Sequence, residues 1–142
     1  MKKTVINIIS LYLIIVLALL LCSCSEKNLE ADIWKEAIYT QDTELGSGVK
    51  TVVVEVVTPE KSISFTIHSD KETLGDALLE HNLIEGEQSI YGIYIKKVNG
   101  IVADYDINQC YWGLNKNGEG MQTGVDGEKI SGGEHYELVY TK

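Results

Sequence analysis

The residues of this chain that could do chemistry are few and scattered along its 142 positions. His68, His81 and His135 stand at spacings that match no metal-ligand motif. The sequence contains no G-x-S-x-G nucleophile elbow, no H-E-x-x-H zinc helix and no Walker phosphate loop. It therefore predicts a protein that is not an enzyme and that requires no metal or cofactor.

Aromatic side chains beside glycine-rich turns are the stronger signal. The segment QCYWGLNKNGEGMQTGVDGEK, residues 109–129, places two large aromatics before a series of glycines and asparagines. Tyrosine and tryptophan are favoured where a surface must be apolar and still form hydrogen bonds. Packing of a small sheet is the alternative explanation for each of them. As a group they predict a ligand-facing edge: Tyr91, Tyr94, Tyr105, Tyr111, Trp112, Tyr136 and Tyr140.

The N-terminus has the features of a bacterial lipoprotein signal. Two lysines precede an apolar run from Ile8 to Leu21, and the run ends at LLLCSC. Cys24 fits the lipidated position better than Cys22, because Leu21 is too bulky for the cleavage position before Cys22. The run is shorter than the about 20 residues of a membrane-spanning helix. The sequence therefore predicts a signal peptide over residues 1–23 and lipid attachment at Cys24, with the protein on the outer face of the cytoplasmic membrane.

The mature chain would be acidic. Removal of residues 1–23, which include two lysines and no acidic residue, would leave 119 residues and change the net charge from −9 to −11. That length suits one domain that folds without disulfides. Nucleic acids are poor partners for such a chain, because their phosphates require clustered lysine and arginine.

Periodicity divides the mature chain into a tether and a domain. Residues 24–48 are polar and glycine-rich toward their end, which predicts a lipidated tether, although Leu29–Tyr39 has the spacing of a short helix. From residue 49 onward strand patterns dominate. KTVVVEVV and the alternating segment Ser62–His68 predict a β-hairpin. Residues 49–142 are therefore expected to form the domain.

A helix and further strands follow the hairpin. Ser69 and Glu72 are spaced as in a capping box, which predicts a helix whose apolar side extends to Leu83 and Ile84. The dipeptides at 99–100 and 117–118 are both Asn-Gly, which favours type I′ turns between antiparallel strands. The order of hairpin, one helix and further antiparallel or mixed strands predicts an α+β fold of the β-grasp kind.

Cys110 has no partner for a disulfide if Cys24 carries a lipid. A free cysteine mostly behaves as a small apolar residue, so we expect its burial in a strand. Whether the thiol has a further role stays open.

Several motifs resemble a domain of unknown function in bacterial surface proteins that is similar to the C-terminal domain of transcobalamin and intrinsic factor. The resemblance covers about residues 50–142. The matching elements are Thr73-Leu74, Ala77-Leu78, Gly92, Val98-Asn99-Gly100, Tyr111-Trp112, Asn117-Gly118, Gly124-Val125 and Gly132-Gly133-Glu134. In transcobalamin and intrinsic factor this domain closes over one side of a bound cobalamin. The resemblance therefore implies a β-grasp domain that binds a soluble ligand.

The resemblance also implies a ligand edge. It would consist of Tyr111, Trp112, Asn115, Gly124 and Val125, and its ligand would be cobalamin or another corrinoid. Handover to a transporter or another surface protein would follow. The sequence leaves one alternative open, a protein-interaction or adhesion module of the cell surface that has no small-molecule ligand.

Overall fold

A computed structural model describes residues 32–142; the predicted signal peptide and Cys24 lie outside this part of the chain. The described part is mostly strands with a few short helices, which confirms the α+β class. It begins with a 3₁₀ turn at Ile33–Glu36. The further elements are β1 (Thr43–Gly46), β2 (Lys50–Val57), β3 (Ser62–Ser69), α1 (Leu74–Glu80), β4 (Ile84–Ser89), β5 (Gly92–Val98), β6 (Ile101–Val102), α2 (Tyr105–Asn108), β7 (Tyr111–Lys116), β8 (Glu119–Gly120) and β9 (His135–Thr141).

The strands form two sheets. The larger sheet has the order β1-β3-β2-β9-β7-β8, and the smaller one has the order β4-β5-β6. In the larger sheet β1 runs parallel to β3, and β2 runs parallel to β9. The other strand pairs are antiparallel, so the predicted mixture of strand directions is confirmed.

The opening hairpin supplies much of the core. β2 and β3 pair over their whole lengths, from Lys50 opposite Ser69 to Val57 opposite Ser62. Alternate residues point to one face, where Val54 and Phe65 are fully buried. Burial of each such side chain stabilises the fold by about 1.5–3 kcal/mol. The predicted hairpin and its apolar face are therefore confirmed.

The helix is shorter than predicted and begins later. Thr73, not Ser69, is its N-cap, and the Thr73 hydroxyl accepts a hydrogen bond from the Asp76 amide. Ser69 ends β3 instead, because its backbone pairs with Lys50. Ile84 begins β4, so the helical spacing of the apolar residues there was misleading. No helix within residues 32–142 has the length and apolar character that crossing a bilayer requires.

The two Asn-Gly turns are confirmed. Asn99 and Gly100 have φ values of 51° and 82°, and Asn117 and Gly118 have 52° and 82°. Positive φ at both central residues is the geometry of a type I′ turn. The first turn joins β5 to β6, and the second joins β7 to β8.

The prediction of a tether is wrong for residues 32–48, which are part of the folded unit. Trp34 is 5% exposed, and its indole N–H donates to the Thr58 hydroxyl at 2.9 Å. The Asn99 side chain bonds both the amide and the carbonyl of Tyr39. Strand β1 then pairs with β3. The sequence did not show this because parallel pairing of a four-residue strand leaves no local periodicity.

A candidate ligand-binding pocket

A pocket of about 350 Å³ lies between β5 and β7. The middle of β5 forms one wall, and the first residues of β7 form the other. Helix α2 and the loop after β8 complete the pocket. Its lining residues are Ile93, Tyr94, Ile95, Tyr105, Tyr111, Trp112, Leu114, Gly124 and Val125.

The lining contains no charged side chain. Three tyrosines form its more exposed part: Tyr94, Tyr105 and Tyr111 are 43%, 60% and 44% exposed. Trp112 and Val125 are buried. The phenol hydroxyls and the exposed backbone at Gly124 are the polar groups available at the surface. Such a lining suits a neutral, largely apolar ligand with a few hydrogen-bonding groups.

Trp112 is held in place by the sheet. It lies opposite Tyr140 on the neighbouring strand, and the two rings meet edge to face with centroids 5.5 Å apart. The indole Nε1 of Trp112 is buried and has no hydrogen-bond partner among the described residues. A buried donor without a partner is uncommon and costs about 1–3 kcal/mol. The pocket wall therefore carries a destabilised polar group beside its aromatic surface.

Four of the five predicted site residues line this pocket: Tyr111, Trp112, Gly124 and Val125. Asn115 does not. Its side-chain amide donates to the Glu137 carboxylate at 3.0 Å, on the strand that pairs with β7. Asn115 also faces Gly120 across the turn that closes β7 and β8, so it is a residue of the hairpin end.

Sequence reasoning missed the β5 wall. Tyr94 and Tyr105 belong to the tyrosine group noted above, but the chain gives no local sign that they approach Trp112. Ile93 and Ile95 look like ordinary strand residues. β5 and β7 belong to different sheets, and the periodicity of a strand does not indicate which strand of another sheet it contacts.

The loop that supplies Gly124 and Val125 is fixed at its far end by an ionic cluster. Glu128 accepts hydrogen bonds from Lys116 Nζ at 2.6 Å and from the Tyr136 hydroxyl at 2.7 Å. Burial disfavours the Glu128 carboxylate, but these two hydrogen bonds and the Lys116 charge outweigh it and hold the pKa of Glu128 below its ordinary value. Burial and the hydrogen bond to Glu128 raise the pKa of Tyr136.

A second, polar pocket of about 230 Å³ lies at the ends of β1, β3 and α1. His68 contacts Thr51 and Glu44, and both of its ring nitrogens are engaged. His81 Nε2 is buried, lies 3.9 Å from Glu80 and has no hydrogen-bond partner within residues 32–142. Within residues 32–142 no group of three or more His, Cys, Asp or Glu side chains is placed to hold a metal ion.

Cys110 is buried, as predicted, but it does not lie in a strand. Cys110 is 3% exposed and precedes β7 directly. Its thiol donates to the Asn108 carbonyl at 3.2 Å. It packs with the core and does not line the pocket.

Comparisons with known proteins give two informative structures. No family model and no curated protein matches the chain. A crystal structure from Ruminococcus gnavus, described provisionally as a metal binding protein, is 32% identical and has a TM-score of 0.62. The match covers 66% of this chain and 97% of the other. Haptocorrin in complex with Cbi is 20% identical, with a TM-score of 0.53, over 66% of this chain and 25% of haptocorrin, which indicates a shared fold.

Proposed function

Because the chain belongs to one family with the Ruminococcus gnavus protein, we propose that both are extracytoplasmic binding modules built on a β-grasp domain. The ligand of this chain presents an apolar surface together with hydrogen-bonding groups, and a corrinoid is the class that we favour. The module has no catalytic activity of its own. The observation that carries the proposal is the uncharged aromatic pocket between β5 and β7.

The size and chemistry of the pocket support a partly inserted ligand. Its volume of about 350 Å³ lies at the lower end of the range for small-molecule sites. Tyr94, Tyr105 and Tyr111 line the pocket and are exposed. Such groups would cover the apolar part of a corrinoid and bond to its amide side chains.

The fold likeness supports the corrinoid class, since haptocorrin binds the cobalamin analogue Cbi. The relative's description as a metal binding protein is compatible with this proposal. A corrinoid carries its own cobalt, so the protein would take up a metal without offering a set of side-chain ligands. Anchoring through a lipid on Cys24 would keep the module at the membrane, where a transporter could receive the ligand.

A protein-interaction module is the second candidate. Ile90 and Tyr91 stand at the tip of the β4–β5 hairpin, 91% and 89% exposed. Adjacent apolar side chains at such a tip are typical of contact with another protein. Under this hypothesis the tyrosines of the pocket would also contact the partner polypeptide.

Calorimetric titration of the full chain in detergent with cobinamide tests the proposal. Tyr111→Ala and Tyr91→Ala form a matched pair, because both remove an exposed tyrosine but only Tyr111 lines the pocket. We expect saturable binding whose affinity falls about tenfold in Tyr111→Ala, because that is the effect of losing one aromatic ring contact. The affinity of Tyr91→Ala should stay unchanged. Absence of binding, or equal loss in both variants, would contradict the pocket as a corrinoid site.

A further inference from the structure

We propose that Asp126 is a positioning residue that holds β5, one wall of the pocket, against the loop that supplies Gly124 and Val125. This inference rests on the proposed function, because the pocket matters only if it holds a ligand. Asp126 follows Val125, the buried residue of the loop that lines the pocket. Its carboxylate contacts the β4–β5 hairpin, which supplies the β5 wall of the pocket.

The contacts of the carboxylate join separate elements. Asp126 Oδ2 accepts a 2.8 Å hydrogen bond from the Ile93 amide in β5, and the Gln88 side chain in β4 lies 3.4 Å from the same oxygen. The amide of Gly75, in the first turn of α1, donates to the Val125 carbonyl at 2.9 Å. The loop is thereby attached to the helix through its backbone and to the hairpin through one side chain.

Two glycines make room for this carboxylate. A Cβ at Gly75 would collide with Asp126 Oδ1, and a Cβ at Gly92 would lie 2.9 Å from Oδ2. Gly92 also has a φ of 101°, a conformation that other residues rarely adopt. The Asp126 carboxylate therefore lies against both glycines, one in α1 and one at the start of β5.

The Ile93 amide is the connection closest to the pocket. Ile93 lines the pocket, and the following residue, Tyr94, forms part of its exposed surface. When Asp126 no longer holds this amide, the first residues of β5 lose their attachment to the loop that carries Gly124 and Val125. Tyr94 would then lose its fixed position relative to Val125, the loop residue that lines the pocket.

Three variants test the inference. Asp126→Ala removes the acceptor, and Asp126→Asn retains a side-chain oxygen that can accept from Ile93. Asp42→Ala is the control, because Asp42 accepts an equivalent 2.8 Å hydrogen bond from the Ser64 amide but does not line the pocket. We expect cobinamide affinity to fall about tenfold in Asp126→Ala, the effect of one hydrogen bond to a charged group. In Asp126→Asn and Asp42→Ala we expect the cobinamide affinity to change by less than about threefold, which is smaller than the effect of losing one such hydrogen bond.

Amide hydrogen exchange at Ile93 provides a readout that needs no ligand. Faster exchange in Asp126→Ala than in Asp42→Ala would support the role of Asp126. If the wild-type chain did not bind cobinamide, that failure would refute only the proposed function and would leave the exchange result valid. Unchanged exchange at Ile93 would overturn the inference. Wild-type cobinamide affinity in Asp126→Ala would also overturn the inference. A complete loss of cobinamide binding in a correctly folded Asp126→Asn variant would overturn it as well.

Discussion

The Tyr136 hydroxyl donates a 2.7 Å hydrogen bond to Glu128 Oε1, the same oxygen that Lys116 Nζ approaches to 2.6 Å. Tyr136 is fully buried, and the Glu128 side chain is 14% exposed. A strand of the larger sheet is thereby joined to the loop that carries Gly124 and Val125. The cluster therefore holds the far end of the loop that completes the pocket.

This cluster predicts a dependence of stability on pH. The pKa of Glu128 is lowered in the folded state, so its contribution is present above its ordinary value of about 4.5. The contribution is lost as the pH falls through the lower folded-state pKa. We expect Glu128→Gln to reduce the free energy of unfolding at pH 7 by about 1–3 kcal/mol. The difference from wild type should shrink below pH 4, as measured by urea unfolding across pH; a constant difference would contradict this account.

The N-terminal segment should contribute to folding stability. Trp34 is 5% exposed and also contacts Lys61 through a cation–π interaction at 4.2 Å. Trp34→Ala is expected to lower the free energy of unfolding by about 3–5 kcal/mol, the usual cost of removing a buried aromatic. Ile38→Ala is the control from the same segment, since Ile38 is 56% exposed. Equal, small effects of both substitutions in thermal unfolding would restore the interpretation of residues 32–48 as a tether.

Two glycines with the same backbone angle should differ in their tolerance of alanine. Gly100 and Gly118 both have a φ of 82° in Asn-Gly turns. A Cβ at Gly100 would collide with the Glu36 carbonyl, whereas a Cβ at Gly118 meets no atom within 4 Å. Gly118→Ala should therefore cost about 1 kcal/mol from backbone strain alone. Gly100→Ala should cost at least about twice as much, and similar melting temperatures of the two variants would argue against the packing of the N-terminal segment on this turn.

Local sequence patterns correctly predicted the strands and turns that neighbouring residues determine. The alternation of Ile63, Phe65 and Ile67 predicted β3, and Asn99-Gly100 predicted a type I′ turn. Features that depend on distant partners were not predicted. The parallel pairing of β1, the division into two sheets and the approach of Tyr94 to Trp112 all arise from tertiary packing.

The candidate site was predicted in part from the resemblance to the domain in transcobalamin and intrinsic factor. The resemblance implied Tyr111, Trp112, Gly124 and Val125, and the structure brings these four residues to one pocket. Asn115 was included by position, but its side chain bonds to Glu137. Tyr111 shares its face of β7 with Asn115 and still lines the pocket, so strand alternation does not separate the two residues.

The indole N–H groups of the two tryptophans offer the most direct test of the central claim. In a proton–nitrogen NMR spectrum of the full chain, Trp112 reports on the pocket. Trp34, which is hydrogen-bonded to Thr58 and does not line the pocket, reports on the N-terminal segment. On titration with cobinamide we expect the Trp112 indole signal to move in a saturable manner while the Trp34 signal stays in place. Shifts of both signals together, or of neither at saturating cobinamide, would contradict a corrinoid site between β5 and β7.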